Sequence, residues 1–310
     1  MKFAFVFPGQ GSQSVAMMQG YADSTEVREV FNAASSVLGQ DVWKLVEEGP
    51  AEELNSTVNT QPVMLTAGYA VYRAWRAAGG PEPDMVAGHS LGEYSALVVA
   101  GALAFRDAVP LVRFRAQAMQ EAVPVGEGAM AAVLGLDDDA LRAVCVDAAQ
   151  GQVVEPVNFN APGQVVIAGH RAAVERGVAG AKARGAKRAI MLPVSAPFHS
   201  SLLKPAADHL AVYLAGITIN VPRIPVVNNV DVEIESDARR IRDALARQAC
   251  NPVRWVEVVR RLAASGIEHV VECGPGKVLA GLTRRIADKM HGHAITDSRS
   301  LEQTIRVLWP

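Results

Sequence analysis

The chain has 310 residues, half of them hydrophobic, with 30 basic against 32 acidic side chains and a formal charge of −2. That near-balance speaks against a nucleic-acid binder or a membrane-surface protein, and no apolar run is long enough to span a bilayer. The length allows one elaborate domain or two.

Residues 3–7, Phe-Ala-Phe-Val-Phe, read as a buried first strand and are too short for the core of a signal peptide. The next turn, Pro8-Gly9-Gln10-Gly11-Ser12, is no dinucleotide loop, because Ser14 stands where the third glycine belongs. It also lacks the Gly-Lys-Ser/Thr ending of a phosphate loop. At the carboxyl end of a strand, such a turn is placed to offer the Gln10 amide to a developing oxyanion. Residues 61–78 carry Val63, Met64, Ala67, Ala70, Val71, Ala74 and Trp75 at helical spacing.

Gly88-His89-Ser90-Leu91-Gly92 fits the G-x-S-x-G nucleophile elbow, with apolar Met85-Val86-Ala87 before it and a helix-forming run after it. The glycines permit a sharp turn that leaves the Ser90 hydroxyl exposed. The Leu91 amide then falls at a helix N-terminus, where unpaired N–H groups favour negative charge. A tight glycine turn without chemistry is the competing reading. Residues 107–121 read as a further helix, with Pro110 in its first turn.

The middle third reads as strand 128–134, helix 137–149, strands 153–158 and 164–168, helix 170–184 and strand 187–192. That order, β-α-β-β-α-β, is the ferredoxin-like arrangement. The expected fold is therefore α/β: a large α/β-hydrolase-like domain with a parallel sheet, residues 1–125 and 197–310, and a small inserted subdomain, residues 126–196. A ligand cleft is expected between the two.

Seven histidines could serve Ser90 as a base. His89 is adjacent but points elsewhere around a sharp turn, and His170, His209 and His269 sit in ordinary helical or helix-to-strand contexts. His199, in Ala196-Pro197-Phe198-His199-Ser200 just after the second domain crossing, is the best placed. Asp208 and Glu93 are available as a third member, but neither has a spacing that compels the role, so a Ser–His dyad is expected. Gly274-Pro275-Gly276-Lys277 lacks phosphate-loop spacing and turns strand 268–272 into the next helix. Cys145, Cys250 and Cys273 fit reduced thiols of a cytoplasmic protein. His291-Gly-His293 has no nearby Cys, Asp or Glu partner, and no metal is assigned.

Seven blocks in order resemble the malonyl-CoA:acyl carrier protein transacylases of fatty acid synthesis: PGQGSQ (8–13), GHSLGEYSAL (88–97), VRFRAQAMQEAVP (112–124), NFNAPGQVVIAG (158–169), APFHS (196–200), NPVRW (251–255) and GPGKVL (274–279). The resemblance implies that Ser90 is the acylated nucleophile and His199 its base, oriented by the main-chain carbonyl of Gln248. It implies oxyanion donors at Gln10 and Leu91, and Arg115 as the site of the malonyl carboxylate, with Met119 and Asn160 lining the pocket. An arginine fork suits that task because it pairs with a carboxylate and stays charged in a cleft. Phe198, beside the base, is expected to restrict room at the malonyl α-carbon.

Malonyl-CoA and an acidic acyl carrier protein would be the partners, with no cofactor, no nucleic acid, no membrane and a monomeric enzyme. Lys182, Arg184, Lys187 and Arg188 form one basic cluster and Arg284-Arg285 another; either could steer an acidic carrier, or be a solvated face. A serine thioesterase or hydrolase, an acyltransferase for polyketide carrier domains, and a non-catalytic carrier-binding module remain as alternatives.

Overall fold

The computed structural model describes residues 1–309. Among these residues nine strands form: β1 (Phe3–Phe7), β2 (Met85–Gly88), β3 (Gly128–Leu134), β4 (Val154–Ala161), β5 (Gln164–His170), β6 (Arg188–Met191), β7 (Val226–Val227), β8 (His269–Cys273) and β9 (His291–Ile295). Five of them make a parallel sheet in the order β7-β2-β1-β8-β9.

β1 is apolar and buried at every position, as a central strand covered on both faces must be. Its residues alternate between two cores. Phe3, Phe5 and Phe7 face one, where Phe5 meets Trp75 of the helix Thr57–Ala77 edge-to-face with ring centroids 5.2 Å apart. Ala4 and Val6 face the other, beneath the helix Trp255–Ala264 with Trp255, Val258 and Leu262.

The remaining four strands form an antiparallel sheet in the order β4-β5-β3-β6, with the helices Asp138–Ala149 and Arg171–Ala183 packed over a separate apolar cluster. This is the spatial order of a ferredoxin-like β-α-β-β-α-β unit. Its edge strand β4 is tied to the parallel-sheet side of the molecule. Phe159 N donates to Val253 O at 3.0 Å, and Val253 N donates to Val157 O at 2.8 Å. Register shifts in β4 between Pro156 and Asn158, and again between Phe159 and Ala161, break the regular alternation around Asn160.

One helix departs from the expectation of residues 107–121. It runs Phe105–Glu121, so Pro110 lies in the second turn rather than the first. The earlier start is anchored by Phe105, which stacks on Tyr69 at 4.9 Å between centroids, a contact between distant segments that periodicity does not register. The helix Thr57–Ala77 likewise starts before the expected residue 61 and holds Pro62 inside it. No helix among the described residues is long and apolar enough to cross a membrane.

Candidate active site

β2 ends at Gly88 and the helix Gly92–Val99 begins four residues later, with Ser90 at the apex. Ser90 has φ +52°, in the left-handed region that costs a residue with a side chain about 1 kcal/mol or more. The two glycines make so tight a turn possible. A Cβ on Gly88 would lie 1.9 Å from Gly92 C, and one on Gly92 would lie 2.0 Å from Phe7 O. The elbow therefore presses directly on the end of β1.

Ser90 Oγ lies 2.7 Å from His199 Nε2, and His199 Nδ1 lies 2.8 Å from the main-chain oxygen of Gln248. A carbonyl only accepts, so the proton sits on Nδ1 and leaves the Nε2 lone pair for the serine hydroxyl. Among the described residues no carboxylate bonds to His199. Burial and the neighbouring Arg115 charge hold the imidazole down to about 3, far below its ordinary value, so the free base is neutral. His199 also has φ +66°, a second strained residue at the site.

Arg115, on the helix Phe105–Glu121, is only 1% exposed, yet its hydrogen-bond partners are all neutral. Nη1 donates to Gln61 Oε1 at 2.8 Å; Nη2 donates to Gln248 Oε1 at 2.9 Å and to Ser90 Oγ at 3.1 Å. Its charge also lies over the Tyr94 ring, 5.4 Å from the centroid. A buried guanidinium held by neutral oxygens is chemically able to pair with an anion brought beside Ser90.

The Leu91 amide precedes the helix and the Gln10 amide lies in the turn after β1; neither donates to a protein acceptor among the described residues. The Gln10 side chain donates to Thr57 Oγ1 at 3.1 Å. Asn160 Oδ1 lies 2.8 Å from His89 Nε2, joining β4 to the elbow. Phe198 is buried beside His199, and Met119 is buried in the core on the Arg115 helix. The sequence alone did not single out Gln61 or Asn229, and it left Glu93 unassigned. Asn229 Oδ1 accepts from Ser90 N at 2.7 Å, and Glu93 Oε2 accepts from Gln248 Nε2 at 2.8 Å. An Asn-Asn pair closing an apolar run was the available signal for Asn229. At the opposite, amino end of the parallel strands, His269 Nδ1 meets His293 Nε2 at 3.0 Å.

A strained serine bonded to a buried neutral imidazole, at the carboxyl end of a parallel strand, defines a serine–histidine enzyme of acyl chemistry. Residues 4–297 match the acyl transferase domain family. The chain is 58% identical over 307 residues to the malonyl CoA-acyl carrier protein transacylase of Escherichia coli K12, covering 99% of both proteins. It is 44% identical to the Bacillus subtilis protein of the same name, covering 99% of this chain and 97% of that one. The crystal structure of an acyl-carrier-protein S-malonyltransferase from Burkholderia pseudomallei 1710b superposes with a TM-score of 0.98 at 64% identity, covering 99% of this chain and 100% of that one. A malonyl-transacylase in complex with a type II PKS acyl-carrier protein matches with a TM-score of 0.98 at 52% identity, again covering 99% and 100%. The chain belongs to the acyl transferase family and, within it, to the malonyl-CoA–acyl carrier protein transacylases.

Proposed function

We propose that the protein moves a malonyl group from malonyl-CoA to the phosphopantetheine thiol of an acyl carrier protein for fatty acid synthesis, through a malonyl ester on Ser90. The observation that carries this reading is the buried Arg115, neutrally partnered and 3.1 Å from the Ser90 hydroxyl. Acetyl has nothing to offer that guanidinium, whereas malonyl brings a free carboxylate.

In the first half-reaction Ser90 Oγ attacks the thioester carbonyl and passes its proton to His199 Nε2. The Leu91 and Gln10 amides receive the oxyanion. Collapse breaks the C–S bond, and the coenzyme A thiolate takes the proton from His199. The carrier thiol then repeats these steps in reverse: it gives its proton to His199, forms the new thioester, and Ser90 leaves with the proton. Thioester-to-ester exchange needs no redox or metal partner. Phe198 limits space at the malonyl α-carbon, which disfavours branched acyl groups.

An acidic carrier protein is steered by exposed basic groups, either Lys182, Arg184, Lys187 and Arg188 or Arg284 and Arg285. Charge reversal at the docking cluster raises KM for the carrier and spares acylation by malonyl-CoA. Equal effects on both half-reactions would refute the steering role. A polyketide carrier is the alternative acceptor, supported by the likeness to the malonyl-transacylase complexed with a type II PKS carrier.

The experiment is intact-protein mass after brief mixing with malonyl-CoA, followed by carrier protein. A malonyl adduct that persists, disappears in Ser90→Ala and moves to the carrier supports the transacylase. Free malonate without carrier loading would make the enzyme a hydrolase.

A further inference from the structure

Behind the dyad lies a buried polar cluster whose members bond to Ser90, His199 and Arg115. Asn229, fully buried in the loop after β7, grips the elbow from both sides. Its Oδ1 accepts from Ser90 N and its Nδ2 donates to Gly88 O, both at 2.7 Å. β7 pairs with β2 in parallel through Val86 and Ala87, and Asn229 continues that pairing with a side-chain amide where the backbone of β2 turns away. The grip also occupies the Ser90 amide, leaving the next amide, Leu91, without a protein acceptor.

Glu93, in the first turn of the helix and 2% exposed, pins the gripping residue in turn. Glu93 Oε2 accepts from Asn229 N at 2.9 Å and from Gln248 Nε2 at 2.8 Å. Gln248 spends its main-chain oxygen and both side-chain polar atoms at the site: the main-chain oxygen on His199, Oε1 on Arg115, and Nε2 on Glu93 and on Ser90 O at 3.0 Å. The adjacent Arg247 grips Asp231 with two contacts, 3.0 and 2.7 Å, fastening the Asn229 loop to the end of the Gln248 helix.

We propose that Glu93 is a positioning residue for acyl transfer, one carboxylate oxygen holding Asn229 against the strained Ser90 backbone and Gln248 against His199 and Arg115. The proposal rests on Ser90 being the acylated residue. Burial pushes the Glu93 carboxyl up to about 7. Both contacts fall on Oε2, so they persist when the other oxygen carries a proton. An amide oxygen in the same place accepts both N–H groups, whereas alanine leaves two buried donors without a partner.

The test measures serine malonylation by quenched-flow intact mass in wild type, Glu93→Ala and Glu93→Gln. Removing the acceptor loosens the elbow and the base together, a misplacement that costs about 10²-fold in the acylation rate constant. KM for malonyl-CoA stays within about threefold, because Arg115 keeps its bond to Gln61, and Glu93→Gln recovers most of the rate. Acylation of Glu93→Ala at the wild-type rate, or equal loss in both variants, overturns the proposal. Should Glu93→Ala fail to fold, Asn229→Ala carries the same expectation, and a wild-type rate there overturns it. Failure of wild type to acylate at Ser90 would instead strike the underlying functional reading.

Discussion

A single nitrogen of Arg115, Nη2, lies 3.1 Å from Ser90 Oγ, so the guanidinium proposed to meet the acyl carboxylate already touches the proposed nucleophile. Burial first, and the same charge second, hold the His199 imidazole down to about 3. On the proposed reading, a carboxylate that pairs with Arg115 offsets the smaller cause of that shift, while burial, the larger one, remains. A neutral acyl group leaves both causes in place.

Arg115→Ala is therefore expected to lower kcat/KM for malonyl-CoA by roughly 10²-fold or more, the worth of about 3 kcal/mol in charge-assisted hydrogen bonds. Acylation by acetyl-CoA should hold or rise, because the field on His199 is gone. Parallel stopped-flow acylation with the two thioesters checks this. An equal fall for both would deny Arg115 its selective role.

His199 also sets a pH dependence of stability. Its value is about 3 folded and about 6.5 unfolded, so between these pH values the unfolded chain binds the extra proton. Stability is present above pH 6.5 and is lost as pH falls toward 3. Urea unfolding of wild type and His199→Gln at pH 7 and pH 5 should show wild type losing more on acidification. Over the same range the acylation rate should show no step at the ordinary histidine value.

Glu272 provides the opposite sign. It is buried at the end of β8, where Oε2 accepts from Ala280 N at 2.9 Å and Oε1 has no partner among the described residues. Burial pushes its carboxyl up to about 7, so the folded chain holds the proton between 4.5 and 7 and stability falls as pH rises through that window. Glu272→Gln removes the titration. Its Tm relative to wild type should be higher at pH 8.5 than at pH 5, by differential scanning fluorimetry.

Much of this architecture was legible in the sequence because its signals are local. The five apolar residues of β1, the glycines flanking Ser90 and the strand–helix rhythm of residues 128–192 each report their own conformation. His199 was legible through its place after the chain's second crossing. What stayed hidden depends on contacts between distant segments. Gln61, Glu93 and Asn229 lie on different elements, and nothing about a single Asn or Gln announces that a buried arginine or a strained amide will need it. The helix start at Phe105 was missed for the same reason, since Tyr69 sets it.

The elbow's glycines differ sharply from glycines elsewhere. A methyl group on Gly92 would meet the backbone oxygen of Phe7 at 2.0 Å, and neither the central strand nor the helix above it can give way. Gly92→Ala should thus cost at least about 3 kcal/mol and abolish malonylation, since the apex carrying Ser90 must move away from His199. Gly281, inside the helix Val278–Ile286, is the internal control: a Cβ there meets nothing within 4 Å. Gly281→Ala should raise stability by about 1 kcal/mol, from helix propensity alone, with acylation unchanged. Urea midpoints and malonylation rates of the two variants separate a steric requirement at the elbow from a general intolerance of added side chains. If Gly92→Ala retained both stability and rate, the close approach of the elbow to β1 would not be what sets the nucleophile's position.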